Sequence, residues 1–145
     1  MSKRQLILKR PLATFDIEST GTSPRVDRIV EIAIVKLPPK GKYITRVWRL
    51  NPQIPIPQEA ILIHGITDVD VANCPSFTDV AKDIFEFLED CDLCGYNAIR
   101  FDIPLLIEEF SRANMKFNID DRFLIDPQRI FHKREPRDLT AALAY

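Results

Sequence analysis

The seven residues from Asn51 to Pro57 hold three prolines, and they divide the chain into a half patterned like strands and a half patterned like helices. Each proline ring fixes φ and removes an amide donor, so this stretch reads as an extended connection. Ahead of it, Leu12 to Ile17 reads as a strand that stops near Ser19-Thr20-Gly21. Ile29 to Val35, apolar except for Glu31, has the pattern of a central strand covered on both faces. Pro38-Pro39-Lys40-Gly41 breaks the chain, and Tyr43 to Leu50, carrying Arg46 and Arg49, follows as a third strand near an edge. Short breaks between three strands predict an antiparallel meander.

Beyond the prolines the period changes. Ser76 and Asp79 form a weak capping signature ahead of a stripe of Phe77, Val80, Ala81, Ile84 and Leu88. Asp92 to Tyr96 reads as a short buried strand. Ile103, Leu106, Ile107 and Phe110 mark a second helix, with Pro104 in its first turn and Glu108, Glu109 and Arg112 facing away. Arg122 to Ile125 is a fifth strand, and a helix runs from Leu139 onward. This order predicts an α/β sandwich whose five-stranded sheet is part antiparallel and part parallel, flanked by helices.

Composition narrows the class. A chain of 145 residues, 46% apolar and 28% charged, is one soluble globular domain, and no apolar run approaches the roughly 20 residues of a membrane span. The apolar part of the basic N-terminus is only Leu6-Ile7-Leu8, too short for a secretory signal, so the expected location is cytoplasmic with no membrane partner. An odd number of cysteines, three, predicts reduced thiols. The formal charge of -1 means that attraction to nucleic acid must come from local patches or bound cations.

Asp16 and Glu18 lie two apart on the first strand, so their side chains leave one face while Phe15 and Ile17 point to the other. Two adjacent carboxylates raise each other's pKa unless a cation sits between them, which makes the pair a coupled acid/base device, a hard-metal site or a solvated edge. They stand at the C-terminal end of their strand, where open α/β sheets bind ligands. Asp102 falls where the fourth strand hands over to a helix, the position of a plain cap. If that strand lies beside the first, Asp102 joins the same rim, and three carboxylates around divalent ions form a site for two-metal phosphoryl transfer.

Four segments in this order carry a family resemblance: Phe15-Asp16-Ile17-Glu18-Ser19-Thr20-Gly21, Asp27-Arg28-Ile29-Val30-Glu31-Ile32-Ala33, Ile63-His64-Gly65-Ile66-Thr67 and Asn97-Ala98-Ile99-Arg100-Phe101-Asp102. They resemble the DEDD superfamily of 3'-5' exonucleases, and within it the proofreading (epsilon-type) domains of bacterial DNA polymerase III. The resemblance implies a ribonuclease H-like fold, with Asp16, Glu18 and Asp102 as catalytic ligands of two Mg2+ or Mn2+ ions. It implies that Thr20 and Gly21 present backbone amides to the 3'-terminal nucleotide, that the Ile63-His64-Gly65-Ile66 loop packs on its base and sugar, and that Asn97 orients the site. The implied substrate is a single-stranded or frayed DNA 3' end, and a DNA polymerase catalytic subunit is the implied partner. An RNA 3'-5' exonuclease of the same superfamily, or a catalytically incomplete nucleic-acid-binding or scaffold domain, are the alternatives.

Two departures stand out. Tyr96 replaces the histidine that usually precedes the family's Asn. The family's third motif, a general-base histidine separated by four residues from a fourth carboxylate, has no counterpart: no His in the chain is followed by Asp five positions later. The expectation is a single exonuclease domain, residues 1–145, truncated before that motif. A variant subgroup uses Tyr for the histidine, and the Ile-His-Gly-Ile-Thr segment points to the His type.

Other signals carry plainer readings. Cys91-Asp92-Leu93-Cys94, with only Cys74 besides, reads as packing and not as a zinc site. Glu31 needs a partner such as Arg28 or a backbone amide, Asp126 a supporting role, and His132 solvent. Arg129, Lys133, Arg134 and Arg137 form a solvated face that can also meet DNA phosphates.

Overall fold

A computed structural model describes residues 8–95 and 98–125 of the chain. The expected elements on Tyr96, Asn97, Asp126 and the segment holding His132, the basic cluster and the helix from Leu139 lie outside the described residues.

Alternation along β1 (Leu12–Ser19) decides the two faces of the sheet. Ala13, Phe15 and Ile17 are buried on one side while Asp16 on the other is exposed. β1 pairs antiparallel with β2 (Ile29–Leu37), which pairs antiparallel with β3 (Ile44–Arg49). On its other side β1 pairs parallel with β4 (Asp92–Cys94), and β4 with β5 (Leu124–Ile125). The spatial order is β3-β2-β1-β4-β5, with β3 at the edge as its arginines predicted. β4 stops at Cys94 and β5 starts only at Leu124, inside the predicted runs of Asp92 to Tyr96 and Arg122 to Ile125.

The buried face of the sheet shares one core with α3 (Phe77–Phe87) and α4 (Ile103–Arg112). Phe110 is its centre, edge-on to Phe77 at 5.1 Å and stacked with Phe117 at 4.9 Å between ring centroids. The capping signature at Ser76 is a full capping box with Asp79. At the other end of α3 no basic residue stands in the last turn, and orphan carbonyls are met from elsewhere: Lys36 donates to Phe87 at 3.1 Å and Arg122 to Leu88 and Cys91 at 2.5 and 2.7 Å. Cys91 is buried and the other two thiols are half-buried, and none of the three is in a disulfide, in keeping with packing roles. The second face of β2 is only half covered, since Ala33 and Val35 keep partial exposure.

Three readings need correction. The stretch around the Ile63-His64-Gly65-Ile66 loop is helical: α1 (Gln58–His64) begins directly after Pro57 and ends at Gly65, whose φ of 73° stops it in the left-handed conformation. A four-residue helix, α2 (Asp68–Val71), follows on a Thr67–Asp70 capping box. Both are too short for a helical period to show. Glu31 pairs across the sheet with Arg49 at 3.2 Å, because the β2–β3 register sets them opposite each other. Glu109 does not face away: it is 1% exposed. Its Oε1 accepts from Arg28 at 2.7 Å and Arg112 at 3.0 Å, and its Oε2 from the Ile29 amide at 3.0 Å, so the carboxylate is buried fully paired.

The β1–β2 ladder carries a bulge. Glu18 faces Glu31 but Ser19 faces Ile29, leaving Val30 as the extra residue. Val30 enters a second, smaller core with Ile56, Ala60, Ile66 and Val71, and this core seats α1 and α2.

Glu109→Ala strands two arginines and a buried amide and is expected to cost about 3–5 kcal/mol. Arg49→Ala opens a partly exposed pair and is expected to cost under about 1 kcal/mol. Urea denaturation of the two variants checks the contrast.

Candidate active site

The bulge lies where β1 ends, and there the strand presents Asp16 and Glu18 from one face. Partial burial raises the Glu18 pKa above its ordinary 4.5, Asp16 raises it further, His64 opposes the shift and Glu31 adds to it. This carboxylate is therefore easier to protonate than a free one.

The chain then turns at Ser19-Thr20-Gly21. Thr20 is 2% exposed and closed into the fold: its hydroxyl donates to Asp27 Oδ1 at 2.9 Å and accepts from the Arg28 amide at 3.0 Å. Its own amide donates to the Arg28 carbonyl at 3.0 Å. Thr20 thus serves the turn and does not offer a free amide to a substrate, which corrects the first of the two expected amide contacts. At Gly21 a side chain has no room, since a Cβ would stand 2.6 Å from Asp27 Oδ2.

His64 closes α1 over this turn. Nδ1 accepts from the Ile66 amide at 3.0 Å, so the proton sits on Nε2, which donates to the Ser19 carbonyl at 3.1 Å. With both ring nitrogens engaged, His64 joins α1 to the end of β1. Ile63 beside it is 83% exposed. A cleft of about 380 Å³ lies between these elements, lined among others by Glu18, Gly21, Ile63, His64 and Phe101.

Phe101 brings the second acidic segment to the cleft. A π-helical turn, Ala98–Asp102, runs directly into α4, and β4 ahead of it is parallel to β1, so both motifs reach the same end of the sheet. Asp102 is 9% exposed and makes no side-chain cap on α4, against the plain-cap reading. Among the described residues no three His, Cys, Asp or Glu side chains are grouped so as to hold a metal ion. The donor chemistry nevertheless fits a hard divalent cation: carboxylate oxygens, two of them adjacent and mutually repelling on the open face.

A family model described as Exonuclease matches residues 14–144. The chain belongs to that exonuclease family. It is 31% identical over 142 residues to the DNA polymerase III subunit epsilon of Buchnera aphidicola, covering 94% of this chain and 59% of that one. With the same subunit of Rickettsia prowazekii it shares 36% over 123 residues, 80% of this chain and 49% of the relative. It therefore spans about half to three-fifths of these relatives' length. The fold is similar to that of E. coli exonuclease I in complex with a dT13 oligonucleotide, with a TM-score of 0.77 at 21% identity over 86% of this chain and 29% of that one. The α/β fold of this exonuclease domain is ribonuclease H-like, as the motifs implied.

The sequence reading missed Asp27, Glu109 and Arg112 as supports of the turn. Asp27-Arg28 stood in a quoted motif, but nothing in its pattern marked a carboxylate reaching back seven residues to Thr20.

Because folding raises the Glu18 pKa, the folded state holds that proton more tightly than the unfolded chain. The group's favourable contribution is present at low pH and is lost as pH rises from 4.5 through the raised value. Above that window Glu18→Gln is expected to be more stable than wild type by less than about 1 kcal/mol, solvent screening a partly exposed group. Below pH ~4 the difference should vanish. Thermal melts across pH without divalent ions measure it.

Proposed function

We propose that this domain is a 3'-5' exonuclease that releases 5'-mononucleotides from single-stranded or frayed DNA 3' ends. The observation that carries the reading is the Asp16–Glu18 pair, side by side on one face of β1, with Glu18 lining a cleft that the exposed Ile63 also lines. Asp16 and Glu18 would hold Mg2+ or Mn2+, with Asp102 as the third carboxylate of a two-ion site. Divalent ions bound there supply a water acidified for in-line attack and neutralise charge on the leaving oxygen.

The chain's own residues do the rest. Ile63 offers an apolar surface to the terminal base and sugar, Gly21 lets the backbone come close to the 3' end, and Asn97, outside the described residues, orients the site. His64 acts as a strut of the cleft, since proton transfer through it would break a bond to Ile66 or Ser19. The likeness to polymerase III epsilon subunits supports a cytoplasmic role in proofreading or repair, with a DNA polymerase catalytic subunit as partner. No helix among the described residues is long and apolar enough to cross a membrane.

The full-length protein should shorten a 5'-labelled single-stranded oligonucleotide into a ladder when Mn2+ is added. Asp16→Ala should lower the rate by more than the ~100-fold that losing an outer support of a metal ligand costs. An uncut substrate, or a ladder indifferent to Asp16, would overturn the proposal. Mn2+ at 100 times its Kd should also stabilise the protein by about 2.7 kcal/mol, and Asp16→Ala should abolish that gain in thermal melts.

A further inference from the structure

Asp27 takes no part in the chemistry above, yet its carboxylate governs the turn that follows Glu18. Oδ1 accepts from the Thr20 hydroxyl at 2.9 Å, and Oδ2 accepts from the Ser23 amide at 2.8 Å. The same carboxylate fills the space where any side chain on Gly21 would go, with both oxygens and Cγ 2.6–2.8 Å from an ideal Cβ. Asp27 is itself fixed from behind. Its carbonyl accepts from Arg112 of α4 at 3.1 Å, and Arg112 also holds the Arg25 carbonyl at 2.7 Å and Glu109 at 3.0 Å. Asp27 lines the cleft beside Glu18 and His64.

We propose that Asp27 is a positioning residue for the site: braced by Arg112, it sets the Ser19–Ser23 turn and with it the aim of Glu18 and the approach of the Gly21 backbone to a nucleic-acid 3' end. This rests on the nuclease reading of the cleft. A ligand role is the competing chemistry. Each Asp27 oxygen already accepts a protein donor, Oδ1 from the Thr20 hydroxyl and Oδ2 from the Ser23 amide. Its charge acts through Thr20 and Ser23, which are polar groups of the turn, and not on the reacting phosphate.

The test compares Asp27→Ala, Asp27→Asn, Gly21→Ala and the double variant Gly21→Ala/Asp27→Ala in the full-length protein. Single-turnover rates on a 5'-labelled oligonucleotide, KM, Mn2+ affinity and amide exchange at Ser23 are measured for each. Asp27→Ala should lower kcat by about 10- to 100-fold, the range for a group that orients a ligand from outside, with Mn2+ affinity changed less than about 3-fold. Asp27→Asn, which keeps the acceptor for Thr20, should recover part of that loss. Because the Cβ of Gly21→Ala collides with Asp27 alone among its nearest atoms, the double variant should be no slower than Asp27→Ala, a non-additive pair.

Wild-type kcat in Asp27→Ala, additive losses in the double variant, or loss of Mn2+ binding as complete as in Asp16→Ala would each overturn the assignment, the last by making Asp27 a ligand. A wild-type protein that leaves the oligonucleotide uncut sinks the nuclease reading instead. Asp27 is then judged by Ser23 exchange alone: faster exchange in Asp27→Ala at unchanged Tm upholds its hold on the turn, and unchanged exchange refutes it.

Discussion

The carboxylate of Glu109, nearly out of reach of solvent, is the point on which the architecture closes. A buried charge is tolerable only when its partners are complete, and here they come from Arg28, Arg112 and the Ile29 amide. Those partners belong to α4 and to the chain entering β2, which are 80 residues apart in sequence. The ion cluster therefore does what a hydrophobic contact cannot do alone. It fixes the rotation of α4 against the sheet, and through Arg112 it fixes the path of the loop that returns to the end of β1.

The opposite condition holds a short distance away. Asp16, Glu18 and Glu31 share one face of the β1–β2 ladder, with Glu18 and Glu31 directly opposed in register. Arg49 pairs with Glu31, while partial burial and then the neighbouring Asp16 keep the Glu18 pKa raised. One carboxylate in this small domain is neutralised with great completeness, and another is held partly buried beside two acidic neighbours. The second is the state expected of a site that leaves room for a cation. Under the proposed nuclease function, a chain with no net positive charge would meet a polyanion through bound cations instead of basic side chains.

Alternation made β1 legible, and with it the shared face of Asp16 and Glu18, because a period of two over apolar and acidic residues admits few other conformations. The capping box at Ser76 was legible for the same local reason. The short helices α1 and α2 were not, although Thr67 and Asp70 repeat the spacing of Ser76 and Asp79. A seven-residue helix behind three prolines offers no period to read. Glu109 was misplaced because helical periodicity sorts side chains by polarity, whereas its burial depends on two arginines, one of which lies far away in sequence. The roles of Thr20 and His64 hinge on three and two particular hydrogen bonds, which no spacing encodes. Asp102 was legible as part of a motif, while its burial without a capping bond belongs to the π-helical turn that precedes it.

The bulge at Val30 gives the sheet a second use. A regular ladder would keep every apolar residue of β2 in step with one core, and α1 and α2 would then have no seat above the strand end. One surplus residue drops a side chain out of step, and that anchors a roof carrying Ile63 and His64 over the carboxylates. The acidic rim and its cover thus share a foundation one residue wide. A deletion that made the pairing more regular would, by that repair, unroof the cleft.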